Sequence, residues 1–297
     1  MLPTILSIQS WVATGHVGNA AAIFPLQRLG AEVWAVHTVQ FSNHPGHGGF
    51  TGQVFTGDQV RAVIDGIEAR GMLPGCDAVL SGYMGDPGIG DAILHAAALV
   101  RAANPAALYC CDPVIGDTGR GVFVRPGIPE LLANCAVPRA DILTPNQFEL
   151  QHLTGLPTGT RAEALVALVA LQARMAPGGL RTILLTSLHT IETPADSLDM
   201  LAVDPAGAFL LRVPALPIAP NGAGDAVAAL FLLHVLRTGS TRLALQRAGS
   251  AVAGLLRRTV EAGSDELLLI QAQDEFVRPG LDYRAEPLYI QKLGDGF

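Results

Sequence analysis

The sequence predicts an α/β fold in which a central, mostly parallel sheet carries helices on both faces, an α/β/α sandwich. Short apolar runs alternate with longer stretches of helical periodicity along most of the chain. The apolar runs are continuous, as in parallel strands that are buried on both faces. The 297 residues suit one large domain. Because no low-complexity linker or internal repeat divides the sequence, residues 1–297 are interpreted as a single domain.

The first half of the chain predicts four strands, each followed by a helix. The strands are residues 4–8, 32–38, 78–81 and 108–111, and the helices are residues 18–29, 56–70, 88–104 and 128–134. Gly30 and Gly71 follow two of these helices at the position where a left-handed residue ends a helix. Pro105 stops a third, because the residue before a proline avoids the helical conformation.

The second half continues this alternation and then changes. Further strands are predicted at residues 142–143 and 182–185, and further helices at residues 146–153 and 161–175. Residues 200–203 and 208–213 flank the turn Asp204-Pro205-Ala206-Gly207, which predicts an antiparallel hairpin. The helices predicted to close the chain are residues 223–237, 241–258 and 266–275.

Composition argues against two kinds of partner. Hydrophobic residues make up 49% of the chain and the mean hydropathy is +0.37, but no segment has the apolar length that spans a bilayer. The net charge of −7 and the lack of a long basic run argue against nucleic acid. The first residues show no basic region or signal-type cleavage site, so a cytoplasmic protein is expected.

The cysteines and the Ala-rich segments predict buried structure. Cys110 and Cys111 lie in an apolar strand and are interpreted as buried thiols, since the four cysteines show no zinc spacing. Residues 164–171 and 226–236 are apolar and rich in alanine. We expect helices there that pack on both sides or against a partner subunit.

The loops after the strands are the place to look for a site, because open parallel sheets bind ligands beyond the carboxyl ends of their strands. Several of these loops are polar: residues 9–10, 40–49, 82–83, 112–121, 144–149 and 186–187.

The segment Asn221-Gly222-Ala223-Gly224-Asp225 leads into an apolar helix. The unpaired N–H groups and the positive end of the helix dipole point at one place, which glycine lets an oxyanion approach closely. Asp225 can take the proton of a hydroxyl that attacks a phosphoryl group. The segment therefore predicts a small-molecule kinase, and the alternative is an ordinary helix start in which Asp225 is a cap.

Two other loops carry carboxylates. Asp112 follows a strand, where it can hold magnesium or water near phosphates. Residues 118–121 form a loop with one fixed charge, Arg120, that can close over a nucleotide, or else an ordinary surface turn. Asn146 and Glu149 fit a capping box, which that segment alone favours, or groups that position magnesium through water.

A series of short motifs occurs in one order along the chain. They are Ser7-Ile8-Gln9-Ser10, Gly15-His16-Val17-Gly18-Asn19, Val39-Gln40-Phe41-Ser42-Asn43-His44, Ser81-Gly82-Tyr83, Cys111-Asp112-Pro113-Val114, Thr144-Pro145-Asn146-Gln147-Phe148-Glu149 and Gly222-Ala223-Gly224-Asp225. The series resembles the pyridoxal kinases of the ribokinase-like superfamily from about residue 4 to the helix after Asp225. The Gly-x-Gly-Asp element is typical of the superfamily, whereas the first and third motifs are specific to the pyridoxal branch.

This resemblance implies a ribokinase-like fold and a homodimer. It implies phosphorylation of the 5′-hydroxymethyl group of pyridoxal to pyridoxal 5′-phosphate, with ATP and Mg²⁺. Asp225 would be the base, and the backbone of Gly222, Ala223 and Gly224 the anion hole. The implied substrate-binding residues are Ser10, Val17, Phe41, His47, Tyr83 and Asp225. The implied nucleotide-binding residues are Asp112, Asp117, Asn146, Glu149, Thr186, Ser187, Asn221, Gly222 and Gly224, of which Asp112 and Glu149 would serve the metal.

Three positions depart from the pattern of the pyridoxal kinases. Pro45 stands where the family often has threonine, and it has neither a hydroxyl nor a backbone N–H. His47 is a candidate to replace an aromatic residue of the substrate wall, so this loop bears on the choice among pyridoxal, pyridoxine and pyridoxamine. Thr186 stands where some relatives have a lysine near the nucleotide phosphates, and Arg120 or a second metal is a candidate to compensate.

Three functions follow from these observations. The leading one is a pyridoxal kinase. The alternatives are a kinase of another B6 vitamer or of a hydroxymethyl-pyrimidine, and a catalytically weak protein that binds or senses vitamin B6. The presence of Asp225 with both nearby glycines favours catalysis over sensing.

Overall fold

The computed structural model of the chain describes residues 2–218 and 220–288. Its strands are β1 (Thr4–Val12), β2 (Glu32–Phe41), β3 (Gly52–Val54), β4 (Ala78–Ser81), β5 (Leu108–Cys111), β6 (Gly116–Asp117), β7 (Gly121–Val122), β8 (Ile142–Leu143), β9 (Thr182–Leu188), β10 (Ser197–Asp204), β11 (Gly207–Pro214) and β12 (Glu286–Leu288). Its α-helices are α1 (Asn19–Arg28), α2 (Gly57–Ala69), α3 (Pro87–Ala103), α4 (Ile128–Leu131), α5 (Gln147–Thr154), α6 (Arg161–Ala173), α7 (Ala223–Thr238), α8 (Thr241–Glu261) and α9 (Asp274–Val277).

Within the described residues, ten strands form one sheet in the order β12-β11-β10-β9-β8-β5-β4-β1-β2-β3. The central neighbours, from β9 to β2, are all parallel. The outer neighbours are antiparallel: β3 on one side, and β10 to β12 on the other. The mostly parallel sheet expected from the sequence is confirmed, and the carboxyl ends of its central strands meet along one edge.

Alternating side chains of the strands build a core on each face of the sheet. In β1, Leu6 and Ile8 join the core that packs against α2 to α6, whereas Ile5 joins the core that packs against α1, α7, α8 and α9. This alternation is the period of two that a strand imposes on its side chains. The predicted helices on both faces are confirmed.

Helix α7 is buried along most of its length. Every residue from Ala226 to Val235 is buried, and the helix packs between α1, α8 and strand β9. Of the two expectations for the Ala-rich segments, packing on both sides within the chain is therefore correct for α7. No helix in residues 2–218 and 220–288 has the length and apolar character needed to cross a membrane.

The predicted helix at residues 266–275 is wrong for most of its length. Only α9 is α-helical there, and the residues before it form turns. Leu267 and Leu269 are buried while Ile270 is largely exposed. A spacing of two cannot place both leucines on one helical face, so burial of these two side chains outweighs the helical propensity of the leucine run. Strands β3, β6, β7 and β12, each of two or three residues, were not predicted.

Candidate active site

A cavity of about 380 Å³ lies at the carboxyl ends of the parallel strands, within the size range of small-molecule sites. The predicted site residues that line it are Ser10, Val17, Phe41, Tyr83, Asp112, Asp117, Asn146, Glu149, Thr186, Asn221, Gly222, Gly224 and Asp225. Ser187 and Ala223 do not line it. The side chain of His47 lies outside the described part of the chain, although its backbone belongs to the turn Pro45–His47.

The wall that carries Asp225, the predicted base, is the N-terminus of α7. Gly222 caps this helix in the left-handed conformation, with φ 91°. A Cβ atom there would lie 1.7 Å from the carbonyl oxygen of His16, so only glycine fits this position. Gly222 and Gly224 both line the cavity. The first N–H groups of α7 have no partner within the helix and can therefore bind an anion.

Asp225 lies in the first turn of α7, and backbone N–H groups orient its carboxylate. Gly18 and Asp225 itself donate these hydrogen bonds. Burial raises the pKa of Asp225 and outweighs the N–H donors, which lower it. The residue as a whole keeps some exposure toward the cavity, whereas its carboxyl group is enclosed by protein atoms. A carboxylate with a raised pKa is a stronger base than an exposed aspartate.

The opposite wall carries two further carboxylates. Asp112 Oδ1 accepts a hydrogen bond from Thr144 Oγ1 at 2.9 Å. Glu149 Oε1 accepts from the backbone N of Ile115 at 3.0 Å, and Oε2 from the backbone N of Asn146 at 2.8 Å. Asn146 Oδ1 in turn accepts from the backbone N of Glu149 at 2.9 Å, which confirms the capping box at the start of α5.

The electrostatics of the cavity favour a cation. Burial raises the pKa of Asp112 well above its ordinary value, and the negative charges of Glu149 and Asp225 raise it further. Burial also raises the pKa of Glu149 to about 7, against the backbone N–H groups that lower it. Among the described residues, no three His, Cys, Asp or Glu side chains are placed to coordinate one metal ion together. The carboxylates therefore fit a magnesium ion held mainly by phosphate oxygens and water.

The substrate side of the cavity is apolar and aromatic. Ser10 is buried where the pairing of β1 with β2 shifts between Gln9 and Trp11. The rings of Phe41 and Phe50 lie 4.6 Å apart between centroids. Thr38 Oγ1 donates to the carbonyl oxygen of Tyr83 at 2.7 Å and so fixes the residue at the end of β4. This wall suits a flat ring with few polar groups.

A buried polar network lies beneath this wall. Ser7 Oγ donates to Asn19 Oδ1 at 2.7 Å, and Gln9 Nε2 donates to Ser7 Oγ at 3.0 Å. Asn19 Nδ2 also donates to the carbonyl oxygen of Val36 at 3.0 Å. The side chains of the first two quoted motifs thus fasten β1 to the start of α1, next to Gly18, which donates to Asp225.

Several lining residues were not predicted as site residues. They are Val12, Val39, His44, Pro45, Gly46, Val114, Gly116, Phe123, Thr144 and Pro220. Arg120, which the sequence offered only as a charge that can compensate for Thr186, also lines the cavity. Val12 ends β1, Val114 lies three residues after β5 and Thr144 follows β8 directly, so the rule that ligands bind at strand ends identifies these three residues. Phe123 follows the short strand β7, for which the sequence carries no clear signal.

Comparison with known proteins places the chain in a family. Residues 55–269 match the family model described as phosphomethylpyrimidine kinase. The pyridoxal kinase PdxY of Granulibacter bethesdensis is 63% identical over 282 residues, which cover 95% of this chain and 99% of that protein. The PdxY of Deinococcus radiodurans is 57% identical and covers 95% of each chain.

A solved structure agrees with these relatives. The pyridoxal kinase of Leishmania donovani in complex with ADP and pyridoxamine superposes with a TM-score of 0.87 at 28% identity, covering 96% of this chain and 99% of that one. The architecture is that of the ribokinase-like α/β proteins. The chain belongs to the pyridoxal kinases, within the group of kinases that the phosphomethylpyrimidine kinase model matches.

Proposed function

We propose that the chain transfers the terminal phosphoryl group of ATP to the 5′-hydroxymethyl group of pyridoxal and so produces pyridoxal 5′-phosphate and ADP. The observation that carries this proposal is the N-terminus of α7, where the glycine-rich turn and Asp225 face one cavity with Asp112 and Glu149. Family membership at 63% identity supports the choice of substrate.

Asp225 acts as the general base in this reaction. Its carboxylate takes the proton of the 5′-hydroxyl as the hydroxyl oxygen bonds to the terminal phosphorus, and the bond from that phosphorus to the bridging oxygen breaks, which releases ADP. The N–H groups at Gly222, Ala223 and Gly224 stabilise the negative charge on the transferring group. The hydrogen bond from Gly18 aims the carboxylate during the proton transfer.

The pyridine ring lies against Val17, Phe41 and Tyr83, with Ser10 as its hydrogen-bonding partner. All four residues line the cavity on the side of β1, β2 and β4. Pro45 and Gly46 also line it, so this loop lies where it can contact a substituent of the ring. Since Pro45 has no N–H to donate, the loop contacts that substituent mainly by shape.

The nucleotide lies along Asp112, Asp117, Asn146, Thr186, Ser187 and Asn221. Magnesium, when bound, neutralises phosphate charge, and Asp112 and Glu149 hold its water ligands. Both oxygens of Glu149 already accept backbone N–H groups, so this residue acts through water. In β9, Thr186 lines the cavity and Ser187 does not, which favours Thr186 over Ser187 for the phosphate contact.

Initial rates of ADP formation by the purified protein test this proposal. ATP and magnesium are supplied with pyridoxal, pyridoxine, pyridoxamine, hydroxymethyl-pyrimidine or ribose in separate reactions. We expect selective turnover of pyridoxal. Turnover of hydroxymethyl-pyrimidine alone would favour the second candidate function, which the name of the matching family model supports. Tight binding of pyridoxal without any ADP formation would instead favour a vitamin-binding protein.

We further propose that the protein works as a homodimer in the cytoplasm. All four cysteines are free, as is typical of proteins in a reducing compartment. Because α7 is covered within its own chain, the dimer contact is expected on other surfaces. Light scattering after gel filtration measures the mass, and a single species of 31.0 kDa would contradict the dimer.

A further inference from the structure

We propose that Arg120 contacts the phosphates of the bound nucleotide and that Asp117 holds its guanidinium in place before the nucleotide binds. This inference rests on the proposed kinase function and adds a residue to it. Asp117 is the last residue of β6, and Arg120 is the last residue of the three-residue turn that joins β6 to β7.

The charge of the cavity makes Arg120 distinctive. Among the described residues that line the cavity there are four carboxylates, Asp112, Asp117, Glu149 and Asp225, and Arg120 is the one arginine or lysine. The sequence contains a single lysine, Lys292, which lies outside the described residues. Nucleotide phosphates add negative charge to an acidic cavity, and catalysis of phosphoryl transfer depends on neutralising that charge.

Asp117 binds Arg120 through both of its oxygens. Oδ1 accepts the backbone N–H groups of Gly119 at 3.0 Å and Arg120 at 2.8 Å. Oδ2 accepts Arg120 Nε at 2.7 Å and lies 2.6 Å from Nη2. Partial burial raises the pKa of Asp117, but the hydrogen bonds and charge of Arg120 outweigh it and hold the pKa below its ordinary value. One oxygen therefore forms the turn, while the other holds the guanidinium.

The guanidinium is held but remains available to a ligand. Its central carbon lies 4.8 Å from the ring centroid of Phe123, a cation–π contact. The side chain of Arg120 is 52% exposed and that of Asp117 is 35% exposed, so water weakens this ion pair. A guanidinium has five N–H donors, and only two of them face Asp117. The other donors can bind phosphate oxygens in the forked geometry that arginine provides.

Strands β6 and β7 form a two-stranded ribbon whose base is fixed and whose tip is open to solvent. Asn146 Nδ2 donates to the carbonyl oxygen of Gly116 at 2.8 Å, and the backbone N of Phe123 donates to the carbonyl oxygen of Ile115 at 3.1 Å. Residues 118–120 are exposed. Gly121 has φ 69°, a conformation that glycine adopts without strain. The ribbon thus carries Arg120 on a short tip above a base that is tied to α5.

The experiment measures nucleotide binding separately from turnover. Calorimetry with magnesium gives Kd for ADP and for a non-hydrolysable ATP analogue, and initial rates give KM for ATP and for pyridoxal. In Arg120→Ala we expect Kd for the analogue and KM for ATP to rise about tenfold to a hundredfold, the range of charge-assisted hydrogen bonds. KM for pyridoxal is expected to stay unchanged. Arg120→Lys is expected to recover part of the loss, since lysine keeps the charge but not the fork.

Arg258→Ala is the matched control. Arg258 is 54% exposed and pairs with Glu261 three residues away, as Arg120 pairs with Asp117, but it lies on α8 and does not line the cavity. We expect parental Kd and KM values for this variant. If Arg120→Ala bound the analogue as tightly as Arg258→Ala does, the proposed phosphate contact would be wrong.

Asp117→Asn tests the holding role. Asparagine keeps an acceptor at Oδ1 for the turn and removes the charge at Oδ2. Arg120 then keeps its charge but loses the carboxylate that holds it, so we expect Kd for the analogue to rise, but by less than in Arg120→Ala. A parental Kd would overturn the holding role of Asp117. If the parent bound the analogue but phosphorylated no pyridine, the proposed substrate would be wrong, while the binding of Arg120→Ala and Arg258→Ala would still decide this inference.

Discussion

The two ends of helix α7 are built from similar parts. The helix is flanked by two glycines in the left-handed conformation, Gly222 with φ 91° and Gly239 with φ 61°. Each half of the helix carries a titratable side chain with a pKa that is shifted by burial, Asp225 in the first half and His234 in the second. Neither the glycine nor the buried titratable side chain is therefore enough to make a site.

The surroundings distinguish the two ends. Around Asp225, the other walls of the cavity converge, and the opposite wall brings the carboxylates Asp112 and Glu149. Around His234 the neighbouring charges are Arg237 and Arg247, and none of the residues that the structure describes hydrogen-bonds to its Nδ1. A helix end becomes a candidate active site where the loops of several strands meet it, and this depends on the order of the strands in the sheet.

The largest expected effect is at Asp225. Asp225→Asn keeps the shape of the side chain but removes the base, so we expect kcat to fall about 10²- to 10⁴-fold. Binding of pyridoxal and of ADP should persist, because the walls of the cavity are unchanged. Single-turnover rates and calorimetric Kd values separate the two effects. If Asp225→Asn turned over at the parental rate, the assignment of the base would be wrong.

The two glycines give the next comparison. Alanine at Gly222 would meet the carbonyl oxygen of His16 at 1.7 Å, whereas alanine at Gly239 would meet no atom within 4 Å. We expect Gly239→Ala to cost about 1 kcal/mol of folding stability and to keep parental kcat. Gly222→Ala combines the same backbone strain with displacement of the helix start, so its loss should be larger by about 1–3 kcal/mol. Urea unfolding and initial rates measure both.

The activity of these glycine variants tests the anion hole. A shift of α7 by even a fraction of an ångström moves the N–H groups that face the transferring phosphate, so Gly222→Ala should lose at least about tenfold in kcat. Equal stability and equal activity of the two variants would mean that the close approach of Gly222 to His16 affects neither folding stability nor kcat.

The fold could be predicted from the sequence because its central strands are continuous apolar runs bounded by glycine and proline. The strands that escaped prediction are short and lie at the edges or in the ribbon β6–β7, where two or three residues carry no period. The segment before α9 was misread, because only the packed core shows that Leu267 and Leu269 must both point inward.

The site could be predicted in part. The family motifs identified residues that converge on one cavity, although their roles stay predictions until the variants are measured. Thr186 and Ser187 were proposed together, but neighbours in a strand point to opposite faces, so only one of them lines the cavity. His44 and Phe123 were not proposed as site residues, because the sequence carries no clear signal for the turn Pro45–His47 and the two-residue strand β7 beside which they lie.

The last expected effect lies in the second half of α7 and concerns folding stability alone. His234 is 6% exposed. Burial, together with the positive charges of Arg247 and Arg237, lowers its pKa to about 4. Because the folded state binds this proton more weakly than the unfolded state, folding stability is full above about pH 6.5 and falls as the pH drops toward 4. Between pH 7.5 and pH 5 the loss at this one site is about 2 kcal/mol. His234→Leu should remove that loss and keep parental kcat at pH 7.5, whereas His189→Leu, at an exposed histidine, should keep the parental acid sensitivity. Urea midpoints at the two pH values measure the difference. Equal acid sensitivity of His234→Leu and the parent would show that His234 does not set the response. The two halves of α7 would then be less alike than their buried titratable side chains suggest.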